Sequence, residues 1–143
     1  MNKTPKHAAV ILGGELIIDT WVKDILESCE IIVAADNGVS HCLKMSIKPN
    51  ICVGDFDSIC PEDFGTAKRL GWKIKRFPED KDETDGQIAV EEAVNLGAEK
   101  ITIIAGLQGG SRFDHMLSNV FLLTSYNLAA KDIRLVDKTI EIS

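Results

Sequence analysis

The sequence predicts an α/β protein built on a doubly wound, mostly parallel sheet with helices on both faces. Three observations carry that prediction. Short apolar runs alternate with segments of helical periodicity along the whole chain. The runs are near-continuously apolar, as strands covered on both faces are. Several of them end in Gly or Asp, residues that release a chain from a strand into a loop.

The elements follow in order. Ala8-Ala9-Val10-Ile11-Leu12 is a first buried strand, closed by Gly13-Gly14. Asp19 can cap a helix whose Val22, Ile25, Leu26 and Cys29 recur at i, i+3, i+4, i+7. Ile31 to Ala35 is the second strand and stops at Asp36-Asn37-Gly38, and Val39, Cys42 and Leu43 begin a short helix. Ile51 to Val53 is the third strand. Pro61 suits the first turn of the next helix, with Phe64, Ala67 and Leu70 inward and Gly71 as its stop. Trp72, Ile74 and Arg76 alternate with Lys73, Lys75 and Phe77, a strand near a sheet edge. Thr84 and Gln87 form a capping-box signature for a helix through Leu96, ended by Gly97. Ile101 to Ala105 is another buried strand, and a long helix is expected from about Asp114 to Leu128. Ile133 to Val136 and Thr139 to Ile142 close the chain as strands. Repeats, low-complexity segments and internal linkers are absent from the sequence.

Composition bounds the function. The 143 residues, 45% of them apolar, suffice for one domain with a substantial core. A net charge of −6 argues against a nonspecific nucleic-acid binder, which needs a basic surface. No apolar run approaches the roughly 20 residues of a membrane span, and the N-terminus has no long apolar region of a signal peptide. A cytoplasmic protein is expected. Cys29, Cys42, Cys52 and Cys60 form no CxxC pair and read as mostly buried thiols in a reducing compartment.

The chemistry concentrates in three places. Gly54-Asp55-Phe56-Asp57-Ser58 follows the third strand and releases two carboxylates at the strand's C-terminal end, the edge where open α/β sheets bind ligands. Asp80-Lys81-Asp82-Glu83-Thr84-Asp85 is a second acidic cluster at a helix start. Hard oxygen ligands of this kind suit Mg²⁺, which in turn bridges substrate phosphates. The alternative for the second cluster is a solvated loop whose carboxylates favour the helix dipole. Asp36 by itself reads equally as a turn residue. The third place, Gly106 to His115, combines Gly109 and Gly110 with Arg112 at a helix start, where backbone amides and a guanidinium favour phosphate. A flexible connecting loop is the plain alternative. The sequence holds no GxxxxGK[ST], no GxGxxG after the first strand and no GxSxG.

Asp36-Asn37-Gly38, Gly54-Asp55-Phe56-Asp57-Ser58, Asp80-Lys81-Asp82-Glu83-Thr84-Asp85 and Gly110-Ser111-Arg112-Phe113-Asp114-His115, in this order, resemble thiamine pyrophosphokinase over nearly the whole chain. The resemblance implies a Rossmann-like catalytic domain, residues 1–143, that binds ATP and Mg²⁺ and normally precedes a β-rich domain completing a thiamine site in a homodimer. The activity implied is transfer of a diphosphate group from ATP to thiamine. By position, Asp55, Asp57 and Asp82 would hold Mg²⁺, with Asp85 counted beside them as catalytic and Asp80 in support. Asp36, Asn37 and Gly38 would line the nucleotide cleft. Thr84, Gly110, Arg112, Asp114 and His115 would contribute to binding ATP or thiamine. The family pattern has a second glycine where Asn37 stands, lacks the intervening Ser111, and continues into the β-rich domain, which is absent from residues 1–143; the chain is expected to be truncated before it. Two other readings compete: a nucleotide- or thiamine-binding module without turnover, and a phospho-acceptor signalling domain with strand-end aspartates.

Overall fold

The computed structural model describes residues 6–12, 20–54, 56, 59–76, 85–104, 132–136 and 141–142; for residues 20, 21, 85–87, 132–136 and 141–142 it describes the backbone. The strands are β1 (His7–Ile11), β2 (Ile31–Ala35), β3 (Ile51–Gly54), β4 (Ile74–Arg76), β5 (Lys100–Ile104), β6 (Asp132–Val136) and β7 (Glu141–Ile142). The helices are α1 (Thr20–Glu27), α2 (Gly38–Met45), α3 (Pro61–Arg69) and α4 (Asp85–Asn95). The expected long helix from Asp114 to Leu128 lies outside the described residues, as do Gly13, Gly14 and Asp19.

Among the described residues the strands form one seven-stranded sheet in the order β4-β3-β2-β1-β5-β6-β7. Neighbours from β4 through β6 are parallel, and β7 returns antiparallel along β6. The chain therefore winds outward from β1 to β4, then crosses back to the other side of β1 at β5. The order reverses between β1 and β5, whose last residues Ile11 and Ile104 are in register. The doubly wound, mostly parallel architecture is the one the sequence predicts.

Strand alternation divides the core into two layers. Ala8, Val10, Ile31, Val33, Ile51, Val53, Ile101 and Ile103 point to one face and pack with Ile88, Ala89, Val90 and Ala93 of α4. Ala9, Ile11, Ala34, Cys52 and Ile104 point to the other and pack with Val22 and Leu26 of α1, Val39, Cys42 and Met45 of α2, and Ala67 of α3. Ile101, Ile103 and Ile104 are wholly buried, each side chain contributing roughly 1.5–3 kcal/mol.

α2, α3 and α4 end alike. Gly71 N–H donates to the Lys68 carbonyl at 3.1 Å and Trp72 N–H to Ala67 at 3.1 Å; Gly97 and Ala98 repeat the pattern on Val94 and Ala93 at 2.9 and 3.0 Å. Both glycines have positive φ, 77° and 101°, as this closure requires. At the end of α2, Ser46 takes the left-handed position at φ 57°, bonding Leu43 at 3.2 Å while Ile47 bonds Cys42 at 3.0 Å. The predicted stop signals at Gly71 and Gly97 are thus observed. Leu70 is a correction: it is 56% exposed. The helix stops at Arg69, the chain turns through Gly71, and Trp72 fills the core position beside Ala67 that continued periodicity would have given Leu70.

β4 lies at the sheet edge, as expected, and its charged Lys75 and Arg76 discourage pairing with another chain. Lys75 Nζ donates to Glu92 Oε1 of α4 at 2.6 Å. Glu92 is 8% exposed, so this pair fastens the edge strand to the helix behind it.

Candidate active site

Parallel strands deliver their C-terminal ends to one edge. β2 ends there at Ala35, so the next residues, Asp36, Asn37 and Gly38, open α2 on that edge. Asp36 is the pivot. Its N–H donates to the Val53 carbonyl of β3 at 2.8 Å, and its own carbonyl accepts from Val39 N–H of α2 at 3.0 Å. Those bonds hold it at φ 50°, a left-handed conformation that Asp tolerates better than most residues. It is 9% exposed.

Two glycines make this corner possible. At Gly38 a Cβ would overlap the Ile11 carbonyl oxygen and lie 2.8 Å from its carbonyl carbon. The first turn of α2 is therefore pressed against the last residue of β1. At Gly54 φ is 136°, and a Cβ would stand 3.3 Å from Asp36 N and 3.4 Å from Asp36 Cβ. The structure thus brings Asp36, Asn37, Gly38 and Gly54 together beside the point of strand-order reversal. Asn37 occupies the N-cap of α2 without a side-chain cap bond. The start of a helix carries partial positive charge and favours anions.

Asp55 and Asp57 lie outside the described residues, but Phe56 between them does not. Phe56 has φ 63° and is 7% exposed. Its ring stacks on Phe64 of α3 with centroids 4.9 Å apart and planes at 29°. Two cations approach the Phe64 ring: Lys68 Nζ at 4.6 Å and Arg76 Cζ at 5.4 Å from its centroid. Ser40 Oγ of α2 donates to Asp63 Oδ2 of α3 at 2.6 Å, tying the two helices on this face. The sequence analysis names Phe56 only within the Gly54–Ser58 run and assigns it no role. A bulky residue with positive φ is set by tertiary packing, and no local pattern announces it.

Asp85 is the first residue of α4, and its backbone can be placed. Gly97, past the end of α4, lies beside Lys6 at the starting edge of the sheet. Eleven helical residues run back about 16 Å, roughly the length of a five-residue strand. The start of α4 therefore comes to the strands' C-terminal edge, on the face opposite α2. Asp80, Asp82, Thr84, Gly110, Arg112, Asp114 and His115 lie outside the described residues. Among the described residues no three His, Cys, Asp or Glu side chains form a metal-holding group. Asp36 supplies one carboxylate at this edge, and Mg²⁺ is commonly held by one or two carboxylates together with water and substrate phosphates.

The buried cysteines are shielded from chemistry. Burial pushes the Cys42 and Cys52 thiols up to about 12, so both stay protonated and unreactive. Cys60 is exposed at the start of α3. No described helix is long and apolar enough to cross a membrane.

Comparison with known proteins identifies the family. Residues 22–136 match the family described as thiamin pyrophosphokinase, catalytic domain. The chain is 32% identical over 133 residues to thiamine pyrophosphokinase of Bacillus subtilis (strain 168), covering 93% of this chain and 61% of that protein. Its fold is similar to the crystal structure of thiamin pyrophosphokinase from Geobacillus thermodenitrificans, with TM-score 0.75, 30% identity, 92% of this chain covered and 60% of that one. It is also similar to a thiamin pyrophosphokinase family protein from Enterococcus faecalis, with TM-score 0.74, 28% identity, 93% of this chain covered and 62% of that one. The chain thus spans about three-fifths of the length of these relatives. With residues 22–136 matched and a doubly wound sheet of the same fold, this chain belongs to the thiamin pyrophosphokinase family.

Proposed function

We propose that this domain transfers a diphosphate group from ATP to the hydroxyl of thiamine, giving thiamine diphosphate and AMP. The observation that carries the reading is the family match over residues 22–136, together with Asp36, Gly38 and Gly54 converging where the strand order reverses. In the reaction the thiamine hydroxyl oxygen bonds to the β-phosphorus of ATP. The bond from that phosphorus to the oxygen bridging to the α-phosphorus breaks, and AMP leaves with the electron pair. The hydroxyl proton passes to a nearby carboxylate or to water.

The chain's own residues divide the work. Asp36, Asn37 and Gly38 line the nucleotide cleft at the start of α2, where backbone amides face an anion. Asp55, Asp57 and Asp82 would hold Mg²⁺, with Asp80 and Asp85 beside them; when bound, the ion neutralises phosphate charge. Arg112 pairs with phosphate, and Thr84, Gly110, Asp114 and His115 complete contacts to ATP or thiamine. Most of the rate enhancement then comes from positioning and electrostatics.

The same reading has thiamine enclosed between this α/β domain and a β-rich domain, across a homodimer, in the cytoplasm. A small ligand needs most of its surface covered, so residues 1–143 alone are expected to bind Mg²⁺–nucleotide and to bind thiamine weakly. Sedimentation and calorimetry test those two points. The central test is AMP release from ATP with and without thiamine. AMP formed only with thiamine supports the enzyme. Nucleotide binding without AMP would indicate a binding module, and covalent labelling by a phosphodonor a signalling domain.

A further inference from the structure

We propose that Lys68 and Arg76, which converge on the ring of Phe64, form a subsite for the terminal phosphates of the nucleotide. This deepens the nucleotide reading made under Proposed function and rests on it. Residues 67–76 hold Lys68, Arg69, Lys73, Lys75 and Arg76 and no acidic residue, in a chain whose net charge is −6. Two of these cations have partners: Lys75 bonds Glu92 of α4 at 2.6 Å, and Arg69 bonds Thr66 Oγ1 of its own helix at 2.9 Å. Lys68 and Arg76 are exposed, and among the described residues neither makes an ion pair. They are nevertheless held close together. Lys68 lies one helical turn beyond Phe64 and leans back over it, as helical side chains do, placing Nζ 4.6 Å from the ring centroid. Arg76 Cζ stands 5.4 Å from the same centroid. The two charges are therefore at most about 10 Å apart, although like charges repel. A cation meets a phosphate oxygen at about 2.7–2.9 Å, so two linked phosphates can touch both. A guanidinium over an aromatic face keeps its N–H donors at its rim, where a phosphate can take them. The pair also lies at the ligand edge. Arg76 ends β4 in register with Gly54, and Gly54 lies against Asp36. Strand alternation turns Arg76 to the face of Ile74 and Cys52, which is the face that α2 covers. β4 is two strands from β2, about 10 Å across the edge, and an extended nucleoside triphosphate is longer than that. A nucleotide seated at the start of α2 thus brings its phosphate tail within reach of Lys68 and Arg76.

The test measures binding to the full chain by titration calorimetry at fixed Mg²⁺, with ATP, AMP and inorganic diphosphate as the three probes. Arg76→Gln and Lys68→Gln each remove one charge at an exposed position, and circular dichroism confirms the fold. Each is expected to weaken ATP binding about tenfold, equivalent to about 1.4 kcal/mol, and to leave AMP binding unchanged, because AMP has no terminal phosphates. Diphosphate binding should weaken by a similar factor. Arg76→Lys keeps the charge without the planar fork and should fall between, so it serves if Arg76→Gln does not fold. Lys44→Gln removes the same charge from the last turn of α2, away from the cleft, and should change nothing. In turnover, Arg76→Gln should raise the KM for ATP while the KM for thiamine holds. Folded single and double variants with unchanged ATP affinity would overturn the inference. An equal loss for AMP and ATP would overturn it too, by placing the pair away from the terminal phosphates. A loss for diphosphate alone would do the same, by making the pair a site for the free ion. ATP binding that depends on Lys68 and Arg76, in a protein that releases no AMP, would leave the inference standing and remove the enzymatic reading. Normal thiamine-dependent AMP release, with ATP affinity indifferent to both residues, would do the reverse.

Discussion

Two glycines in helices should respond to the same substitution with opposite signs. Gly38 opens α2 and Gly65 lies within α3. A methyl at Gly38 would overlap the Ile11 carbonyl oxygen and lie 2.8 Å from the carbonyl carbon, against an ordinary carbon–carbon contact of about 3.5–4.0 Å. The shortfall is about 0.7–1.2 Å, and the obstacle is the backbone of a central strand. A flexible side chain could swing aside; β1, held between β2 and β5, cannot. Overpacking of this kind costs about 1–3 kcal/mol, and the rigid obstacle puts Gly38→Ala at the upper end, about 2–3 kcal/mol. At roughly 4 °C per kcal/mol for a domain of this size, the melting temperature should fall by about 8–12 °C. A methyl at Gly65 meets nothing within 4 Å, so Gly65→Ala should gain about 0.5–1 kcal/mol from reduced backbone freedom in the unfolded chain. Thermal melts by circular dichroism and urea titrations measure both. Nucleotide binding should also weaken in Gly38→Ala, because the start of α2 has to retreat. If Gly38→Ala melts within a degree or two of the unsubstituted protein, or Gly65→Ala falls as far as Gly38→Ala, the packing argument is wrong.

Asp55→Asn and Asp57→Asn should each remove most thiamine-dependent AMP release while circular dichroism shows the fold intact, since each substitution removes a ligand charge and keeps the side chain's size; near-native turnover at limiting Mg²⁺ would remove their metal assignment. Arg112→Ala should lower kcat/KM for ATP by a factor of roughly 10–100, from a charge-assisted contact of about 1.5–3 kcal/mol, and unchanged ATP kinetics would place Arg112 away from phosphate. Burial raises Cys42 and Cys52 from 9.0 to about 12. Between those pH values the unfolded chain has lost protons that the folded chain keeps, so stability is intact below about pH 9 and falls as pH rises towards 12. The slope is at most about 1.4 kcal/mol per pH unit per thiol. Urea midpoints across that range check it, and Cys60 should react with a thiol reagent well before either buried cysteine.

What the sequence made legible was whatever local chemistry decides. β2 and β3 are unbroken apolar runs because both faces are covered, and the run itself is the signal. Gly71 and Gly97 end their helices because the closing turn needs positive φ. Leu70 was misread because periodicity carries no information about where a helix stops once the next segment, led by Trp72, competes for the same core position. Ser46 adopts the conformation that glycine supplies elsewhere, and nothing in its neighbours marks it. The close approach of Gly38 to Ile11, the stacking of Phe56 on Phe64 and the Lys75–Glu92 pair each join residues of two different elements or segments, and no local pattern encodes them. For the site, motif order identified the family, while the reason Asp36 belongs beside Gly54 came from the ladder between β2 and β3.

The strand order also sets a schedule for synthesis. β1 is made first, yet it is bonded on one side to β2 and on the other to β5, and His7 reaches a hydrogen-bond partner, Thr102, 95 residues later. While the ribosome is still working through the middle of the chain, a β4-β3-β2-β1 sheet can assemble with the second edge of β1 open. The layer that α4 covers is equally bare until that helix emerges. A nascent chain paused before residue 100 presents Ala8, Val10, Ile31 and Val33 beside an unpaired strand, the combination that draws non-native partners. Chains stalled before residue 100 should therefore be prone to aggregate through β1, and a chaperone that binds short apolar segments should associate with ribosomes carrying chains of this length.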